Sequence, residues 1–349
     1  MGKIRVGING FGRIGRAIFR INELNPQFEI VAVNDIDSDI ENHEYLLKYD
    51  TIYGRFEGKT SIDKDKVELK INGNKIKFYS EVNISKVPWP NHKVDIIIDS
   101  SGVQHNVEQS RKSISSGLAK KIITTHSPKS GVDKTIIFGV NEESYLPSEH
   151  NVVSTSICDS NASGPILNIL EEEYGIKHGF ITTLHPWLSY QNLVDGSLRS
   201  VTSPGHYWKD YALGRASTES LIPKSTTLVN ALEKVIPNIC KNIEAFSYRV
   251  PTGIVSSSDM TIRLKTEVNS ESLNNLFKRK SQLDESVIGY QEGQLVSIDF
   301  KGIRESTFVD GRWTKVLNGK TVKLVLWYDN EWGYSYRVFD MVNYMSKFL

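Results

Sequence analysis

Cysteine is scarce in this chain: two in 349 residues, Cys158 and Cys240. Neither belongs to a CxxC pair or a cluster with metal-type spacing, which argues against a disulfide framework and a structural zinc site, and no metal is expected. Two isolated thiols suit a reducing, cytoplasmic setting. Long apolar runs are also missing: none approaches the ~20 residues needed to span a bilayer, so no membrane partner is expected. Charge of one sign is missing too. The 42 Lys and Arg against 41 Asp and Glu leave +1, which offers no overall field for nucleic acid. The N-terminus runs toward a strand without a leader-like apolar segment, and Val6 stands where a myristoylation signal needs Ser or Thr. No internal repeat or low-complexity stretch is evident. What remains is an ordinary globular composition, 39% hydrophobic, long enough for two domains.

The most informative stretch opens the chain. A short β-rich run, Lys3 to Asn9, ends at Gly10-Phe11-Gly12-Arg13-Ile14-Gly15, and a helix-like run to Leu24 follows with Ile14, Ile18 and Ile21 on one face. A second apolar run, Phe28 to Asn34, ends at Asp35, 20 residues after Gly15. Strand, glycine turn, helix, strand and acid are the parts of a dinucleotide site. The glycines allow the tight turn, the approach of a pyrophosphate and close helix–strand packing. The carboxylate accepts from ribose hydroxyls and repels a 2′-phosphate, which selects NAD over NADP. Cofactor contacts are expected from Asn9, Gly10, Phe11, Gly12, Arg13, Ile14, Gly15 and Asp35, and from Ser101 and Gly102 after the Val94–Asp99 strand.

Beyond this unit, 67–71 and 75–79 read as a hairpin around Asn72-Gly73-Asn74. Further strands are expected at 94–99, 121–125 and 135–140, with a helix at 107–117. The fold class is α/β: a doubly wound parallel-sheet (Rossmann) cofactor domain over residues 1–157. The second half carries longer strand-like runs at 179–184, 245–250, 256–264, 294–297, 306–309 and 323–327, with helix-like segments at 225–235 and 270–281. That is an α+β catalytic domain, 158–331, with a mixed or antiparallel sheet. A terminal helix, 332–349, is expected to pack back on the first domain. The stretch 187–222 has no clear period, and a loop of that length is usually functional.

Between the halves lies Ser154-Thr155-Ser156-Ile157-Cys158-Asp159-Ser160-Asn161, ahead of a helix-like run beginning at Pro165. A cysteine at a helix mouth sits where backbone N–H groups favour a thiolate. Taken alone, most such cysteines are small buried hydrophobes.

These stretches together resemble the glyceraldehyde-3-phosphate dehydrogenase family. The similarity is carried by Val6 to Arg16, Ala32 to Asp35, Leu47 to Asp50, Arg249-Val250-Pro251-Thr252 and Trp327 to Ser335, in order along essentially the whole chain. It implies NAD-dependent oxidation of an aldehyde, usually by a homotetramer. Cys158 would attack the aldehyde to give a thiohemiacetal and then a thioester, with His185 as base, paired as an ion with the thiolate. Asn330 would orient the nicotinamide amide, with Tyr334 packing nearby. Asp159, Asn161, Thr226 and Arg249 would line the substrate site.

The departures gather around the substrate. The family's Ser-Cys-Thr-Thr-Asn is here Ile157-Cys158-Asp159-Ser160-Asn161, so two hydroxyls that help bind inorganic phosphate are gone, one of them replaced by a carboxylate. Ser-Thr-Gly has become Ser225-Thr226-Thr227, and Leu188 and Tyr190 stand where threonines are usual after the base. The following loop is longer than usual and carries Arg199, His206, Lys209 and Arg215, which could serve an anion. The expected reaction is oxidation of a small, anionic aldehyde with release by water. The alternatives are phosphorylating glyceraldehyde-3-phosphate dehydrogenase of glycolysis, and a NAD-binding regulator without catalysis. The role of Asp159 stays open: raising the thiol pKa, holding a cationic group, or orienting water.

Overall fold

The computed structural model describes residues 3–197, 210–283 and 287–349. The described chain divides into two compact units. The first comprises Met1–Ile137, Asn141–Ile157 and Tyr334–Leu349; the second comprises Phe138–Val140 and Cys158–Gly333.

The first unit is built on a nine-stranded sheet whose central pair is Arg5–Asn9 and Glu29–Asn34. Outward from Arg5–Asn9 run Ile96–Asp99, Lys121–Thr124, Val152–Ser154 and Lys134–Thr135, all parallel. On the other side Asn74–Tyr79 joins Glu29–Asn34 in parallel, and Glu68–Ile71 and Thr60–Asp63 extend the sheet antiparallel. The parallel strands read as continuous apolar runs because both faces are covered. Ile96–Asp99 is buried at every position. One face holds Trp89, fully buried among Val31, Val87, Ile97 and Ile122, with its indole N–H donating to Ile84 O at 2.9 Å. The doubly wound expectation is borne out. One strand is shorter than expected: 135–140 keeps pairing only through Thr135, because the chain then leaves the sheet and residues 138–140 join the second unit.

The second unit is an eight-stranded mixed sheet ordered Ile222–Ser225, Ile243–Val250, Ile176–Pro186, Ser256–Leu264, Thr321–Tyr328, Thr307–Asp310 and Ile288–Gln291, with Lys315–Leu317 also on Thr321–Tyr328. The segment 294–297 is not a strand; it leads into a 3₁₀ turn at Ser297–Phe300, and the edge strand is Ile288–Gln291 instead. The expected 225–235 helix is shorter, Leu228–Glu233, because Ile222–Ser225 pairs antiparallel with Ile243–Val250.

The helix after the cysteine also differs from expectation. It starts at Cys158 rather than Pro165 and runs 17 residues to Tyr174, with Pro165 inside it. Proline lacks one N–H and so forgoes one internal bond. Burial of Ala162, Ile166, Leu167 and Leu170 against the sheet offsets that loss.

Candidate active site

Strand alternation decides which side chains share the inner face of the second sheet. Register partners lie on the same face. His185 pairs with Arg249 and Thr183 with Ser247 between Ile176–Pro186 and Ile243–Val250. Ile222 pairs with Arg249 and Lys224 with Ser247 on the next strand. Thr183 pairs with Ser258, and Ser256 pairs with Tyr328. One face therefore presents Lys224, Arg249, His185 and Tyr328 across five strands. Along Gly179–His185 the odd positions are buried, while Phe180 and Leu184 on the other face are exposed.

The helix Cys158–Tyr174 brings its N-terminus to this face. Cys158 Sγ lies 3.7 Å from His185 Nε2 and 3.5 Å from Asp159 Oδ1. His185 Nδ1 is 2.8 Å from Pro186 O, so the ring proton sits on Nδ1 and the Nε2 lone pair faces sulfur. Tyr328 donates to Asp159 Oδ1 at 2.8 Å. His185 and Asp159 are buried, whereas Cys158 is half-buried.

Burial, and then the Asp159 carboxylate, push the Cys158 thiol well above its ordinary range. Burial and Arg249 push His185 down to about 4. The resting pair is therefore neutral thiol and neutral imidazole, not the ion pair that the family resemblance implies. The physical reason is first burial, which disfavours both charged forms, and then the neighbours: Asp159 beside the thiol and Arg249 beside the imidazole.

The chain reaches Cys158 through a strained turn. Ser156 has φ 62, a left-handed conformation rare outside glycine. Its N–H donates to Ser154 Oγ at 2.9 Å, and its carbonyl accepts from Tyr334 at 3.0 Å. Tyr334 OH also meets Thr155 Oγ1 at 2.9 Å, so this buried tyrosine is tied to the segment preceding the cysteine.

Of the other expected substrate residues, Asn161 is buried one turn along the helix, three residues from Cys158, and so on the same side. Thr226 Oγ1 accepts from Leu228 N at 3.2 Å just before the next helix. Arg249 is buried, and its guanidinium donates to Tyr190 OH at 3.4 Å. No carboxylate forms an ion pair with it among the described residues. In the long loop, Arg215 is taken up by Asp195 at 2.8 Å. Arg199, His206 and Lys209 lie outside the described residues.

Lys224 is the residue that sequence reading missed. It is half-buried on the same face as Arg249 and has no carboxylate within ion-pair distance among the described residues. Burial and Arg249 lower its pKa to about 8, while Asp159 and Cys158 act to raise it. The available signal was its position between Pro223 and the surviving Ser225-Thr226, inside a stretch already suspect for anion binding.

The glycine turn in the first unit has the shape a dinucleotide needs. Gly10 has φ +92, and a Cβ there would lie 2.7 Å from Ser101 N; a Cβ on Gly15 would lie 2.2 Å from Gly10 O. Gly12 begins the Arg13–Leu24 helix without a side-chain cap, and a Cβ added to it meets nothing within 4 Å, which leaves open space at the helix N-terminus. Asp35 ends its strand and accepts from Phe11 N at 2.6 Å. Several of the residues expected to contact the cofactor also make internal contacts. Phe11 buries its ring edge-on against Phe19, and the Asn9 amide links Asp99 at 2.8 Å to Asn34 at 2.7 Å. Ser101 Oγ donates to Asp99 at 2.6 Å, and Gly102 follows at φ +69. Arg13 pairs with Asp50 at 2.5 Å, and Ile14 is half-buried beside it. In the second unit, Asn330 is buried, and its Oδ1 has no hydrogen-bond partner among the described residues, as an acceptor kept for an amide N–H would be.

Two family models match this chain: the glyceraldehyde 3-phosphate dehydrogenase NAD binding domain over residues 4–107, and the C-terminal domain over 157–330. The chain belongs to the glyceraldehyde-3-phosphate dehydrogenase family. Among its relatives is glyceraldehyde-3-phosphate dehydrogenase 1 of Bacillus cereus, 36% identical over 98% of both chains. Glyceraldehyde-3-phosphate dehydrogenase 2 of Streptomyces avermitilis is 37% identical over 99% of both. The Geobacillus stearothermophilus glyceraldehyde-3-phosphate dehydrogenase is 37% identical over 99% of this chain and 98% of its own. The protein is thus an NAD-dependent dehydrogenase of the glyceraldehyde-3-phosphate dehydrogenase type, and the residues around the glycine turn fit its cofactor.

Proposed function

We propose that this protein oxidises a small anionic aldehyde through a thioester on Cys158 and releases the product with water. The observation that carries this reading is the Asp159 carboxylate 3.5 Å from Sγ, beside two cations, Arg249 and Lys224, that no described carboxylate pairs with. The cations suit the substrate's own carboxylate, phosphate or phosphonate. The carboxylate repels a second, attacking phosphate but leaves water unopposed.

His185 Nε2 takes the thiol proton as sulfur bonds to the aldehyde carbon, and the resulting oxygen is reprotonated to a thiohemiacetal. When bound, NAD supplies the hydride acceptor that turns this adduct into a thioester. His185 takes the hydroxyl proton in that step. Once His185 has released that proton to solvent, water adds to the thioester with His185 or Asp159 accepting its proton, the C–S bond breaks, and that proton returns to Cys158 as the acid leaves. Asn9, Gly10, Phe11, Gly12, Arg13, Ile14, Gly15, Asp35, Ser101, Gly102, Asn330 and Tyr334 form or support the NAD site in this reading. Asp159, Asn161, Thr226 and Arg249 serve the substrate.

The second reading is the phosphorylating reaction of glycolysis. Lys224 favours it, because a second cation beside Arg249 could hold inorganic phosphate in spite of Asp159. A panel of phosphorylated and plain aldehydes, each with NAD, with and without phosphate, and with the product identified, separates the two. Turnover to a free acid without phosphate supports release by water. An absolute requirement for phosphate with an acyl phosphate product overturns it.

We also infer a cytoplasmic homotetramer. Exposed Phe180, Leu184, Phe246 and Trp313 give the second unit apolar surface to bury in assembly. Both cysteines are free thiols, and no helix among the described residues is long and apolar enough to cross a membrane.

A further inference from the structure

Cys158, Asp159 and His185 each place a metal-ligating atom in one small volume, all within 4.8 Å of one another. We propose that Cys158 Sγ, His185 Nε2 and an Asp159 carboxylate oxygen form a three-ligand site for a divalent transition metal, zinc foremost, whose occupancy blocks the nucleophile. The inference needs only this geometry and stands apart from the choice of aldehyde or of releasing group.

The spacing fits the metal. Zinc bonds of about 2.3 Å to sulfur and about 2.0 Å to nitrogen or oxygen, at a tetrahedral angle, put sulfur about 3.6 Å from each of the other two ligand atoms and those two about 3.3 Å apart. The observed separations from Sγ are 3.7 Å to His185 Nε2 and 3.5 Å to Asp159 Oδ1. The third side, nitrogen to oxygen, is no longer than 4.8 Å.

The surrounding groups act as outer supports. Pro186 O holds the His185 Nδ1 proton at 2.8 Å and leaves Nε2 as the donor atom. Tyr328 donates to Asp159 at 2.8 Å and orients the carboxylate. His185 and Asp159 are buried, and the half-buried Cys158 gives the route of entry and the open fourth position. Three protein ligands with one open position are the pattern of an accessible zinc site rather than a closed structural one.

Binding replaces the thiol proton: the S–H bond breaks, a sulfur–metal bond forms, and one proton is released to solvent. Thiolate and carboxylate then balance the two charges of the metal. Lys224 and Arg249 on the same sheet face oppose it, so the fourth position should take an anion. Asp159 is the decisive ligand. Without it, cysteine and histidine alone make a weak two-ligand site, and Asp159 stands where the family's string has threonine.

The test uses the full-length, reduced, metal-stripped protein titrated with Co²⁺ under nitrogen, followed by competition with Zn²⁺. Expected are a near-ultraviolet sulfur-to-cobalt charge-transfer band and visible bands of tetrahedral intensity, saturating at one metal per chain and bleached by zinc. Cys158→Ser should abolish the charge-transfer band, and Cys240→Ser should leave it unchanged. Asp159→Asn and Asp159→Thr should each weaken binding at least about tenfold, the lower end of the loss seen when groups that support metal sites are removed. Lys224→Ala should tighten it. Far-ultraviolet circular dichroism and NAD binding confirm that each variant is folded. A band that survives Cys158→Ser, affinity in both Asp159 variants equal to that of the parent, or no saturable binding in the parent protein overturns the proposal.

Discussion

Replacing Asp159 with Asn removes one charge 3.5 Å from Cys158 Sγ and keeps an oxygen for Tyr328 OH to donate to. At that distance, a unit charge acting on a thiolate amounts to about 1.2 kcal/mol in water and about 4.7 kcal/mol at an effective dielectric of about 20. At about 1.4 kcal/mol per pKa unit, the thiol of Asp159→Asn should titrate about 1 to 3 units lower than that of the parent. Cys158 is half-buried, which places the expectation toward the lower end. The assay is the pH dependence of alkylation by iodoacetamide in a Cys240→Ser background, so that a single thiol reports. The rate at neutral pH is a blunt readout. A fall of one unit raises the thiolate fraction about tenfold but lowers its intrinsic nucleophilicity about threefold, leaving a gain of only about threefold. The midpoint is the sharp one. If it moves by no more than a few tenths of a unit, the carboxylate is not what holds the thiol protonated.

Three further outcomes are expected. Lys224→Ala should raise KM for the anionic aldehyde about 10- to 100-fold, the loss of a charge-assisted contact, with little change for a neutral aldehyde of the same length; equal effects on both would remove Lys224 from the substrate site. His185, held at about 4 by burial, should cost stability in acid. Above about pH 6.5 neither state is protonated there; as pH falls from 6.5 toward 4 the unfolded chain takes a proton that the folded one refuses, so roughly 3 kcal/mol is lost across that window. Urea midpoints from pH 7 to pH 4 should therefore fall less steeply in His185→Gln, and parallel curves would refute the assignment. Asp35→Ala should lower the preference for NAD over NADP at least about tenfold in kcat/KM, and an unchanged ratio would show that Asp35 serves only the backbone of Phe11.

Part of the site was legible because its signals are local. Two of the three glycines of the 10–15 turn are required by close approaches, Gly15 to Gly10 O and Gly10 to Ser101 N, that any side chain would obstruct. Asp35 ends an apolar run at the spacing a ribose contact needs. Cys158 and His185 were readable from their order in a familiar string. The helix start was misread because Pro165 normally marks a first turn, and here the helix begins seven residues earlier at Cys158. The strand at Ile222–Ser225 was read as loop because its two middle residues are proline and lysine, and only pairing with Ile243–Val250 makes it a strand.

By itself, then, the sequence determined the two-part architecture, the dinucleotide turn and the identity of Cys158's chain neighbours, since each follows from steric demands, periodicity or the local string within a few residues. Tertiary structure alone decided that Lys224, 66 positions after Cys158, shares a sheet face with Arg249 and His185. It also decided that sulfur, imidazole and carboxylate meet at 3.5 and 3.7 Å, a cluster invisible in the spacing of the two cysteines. The physical reason is register: alternation along one strand is written in that strand, but which residue of the next strand lies beside it depends on pairing between segments far apart in the chain.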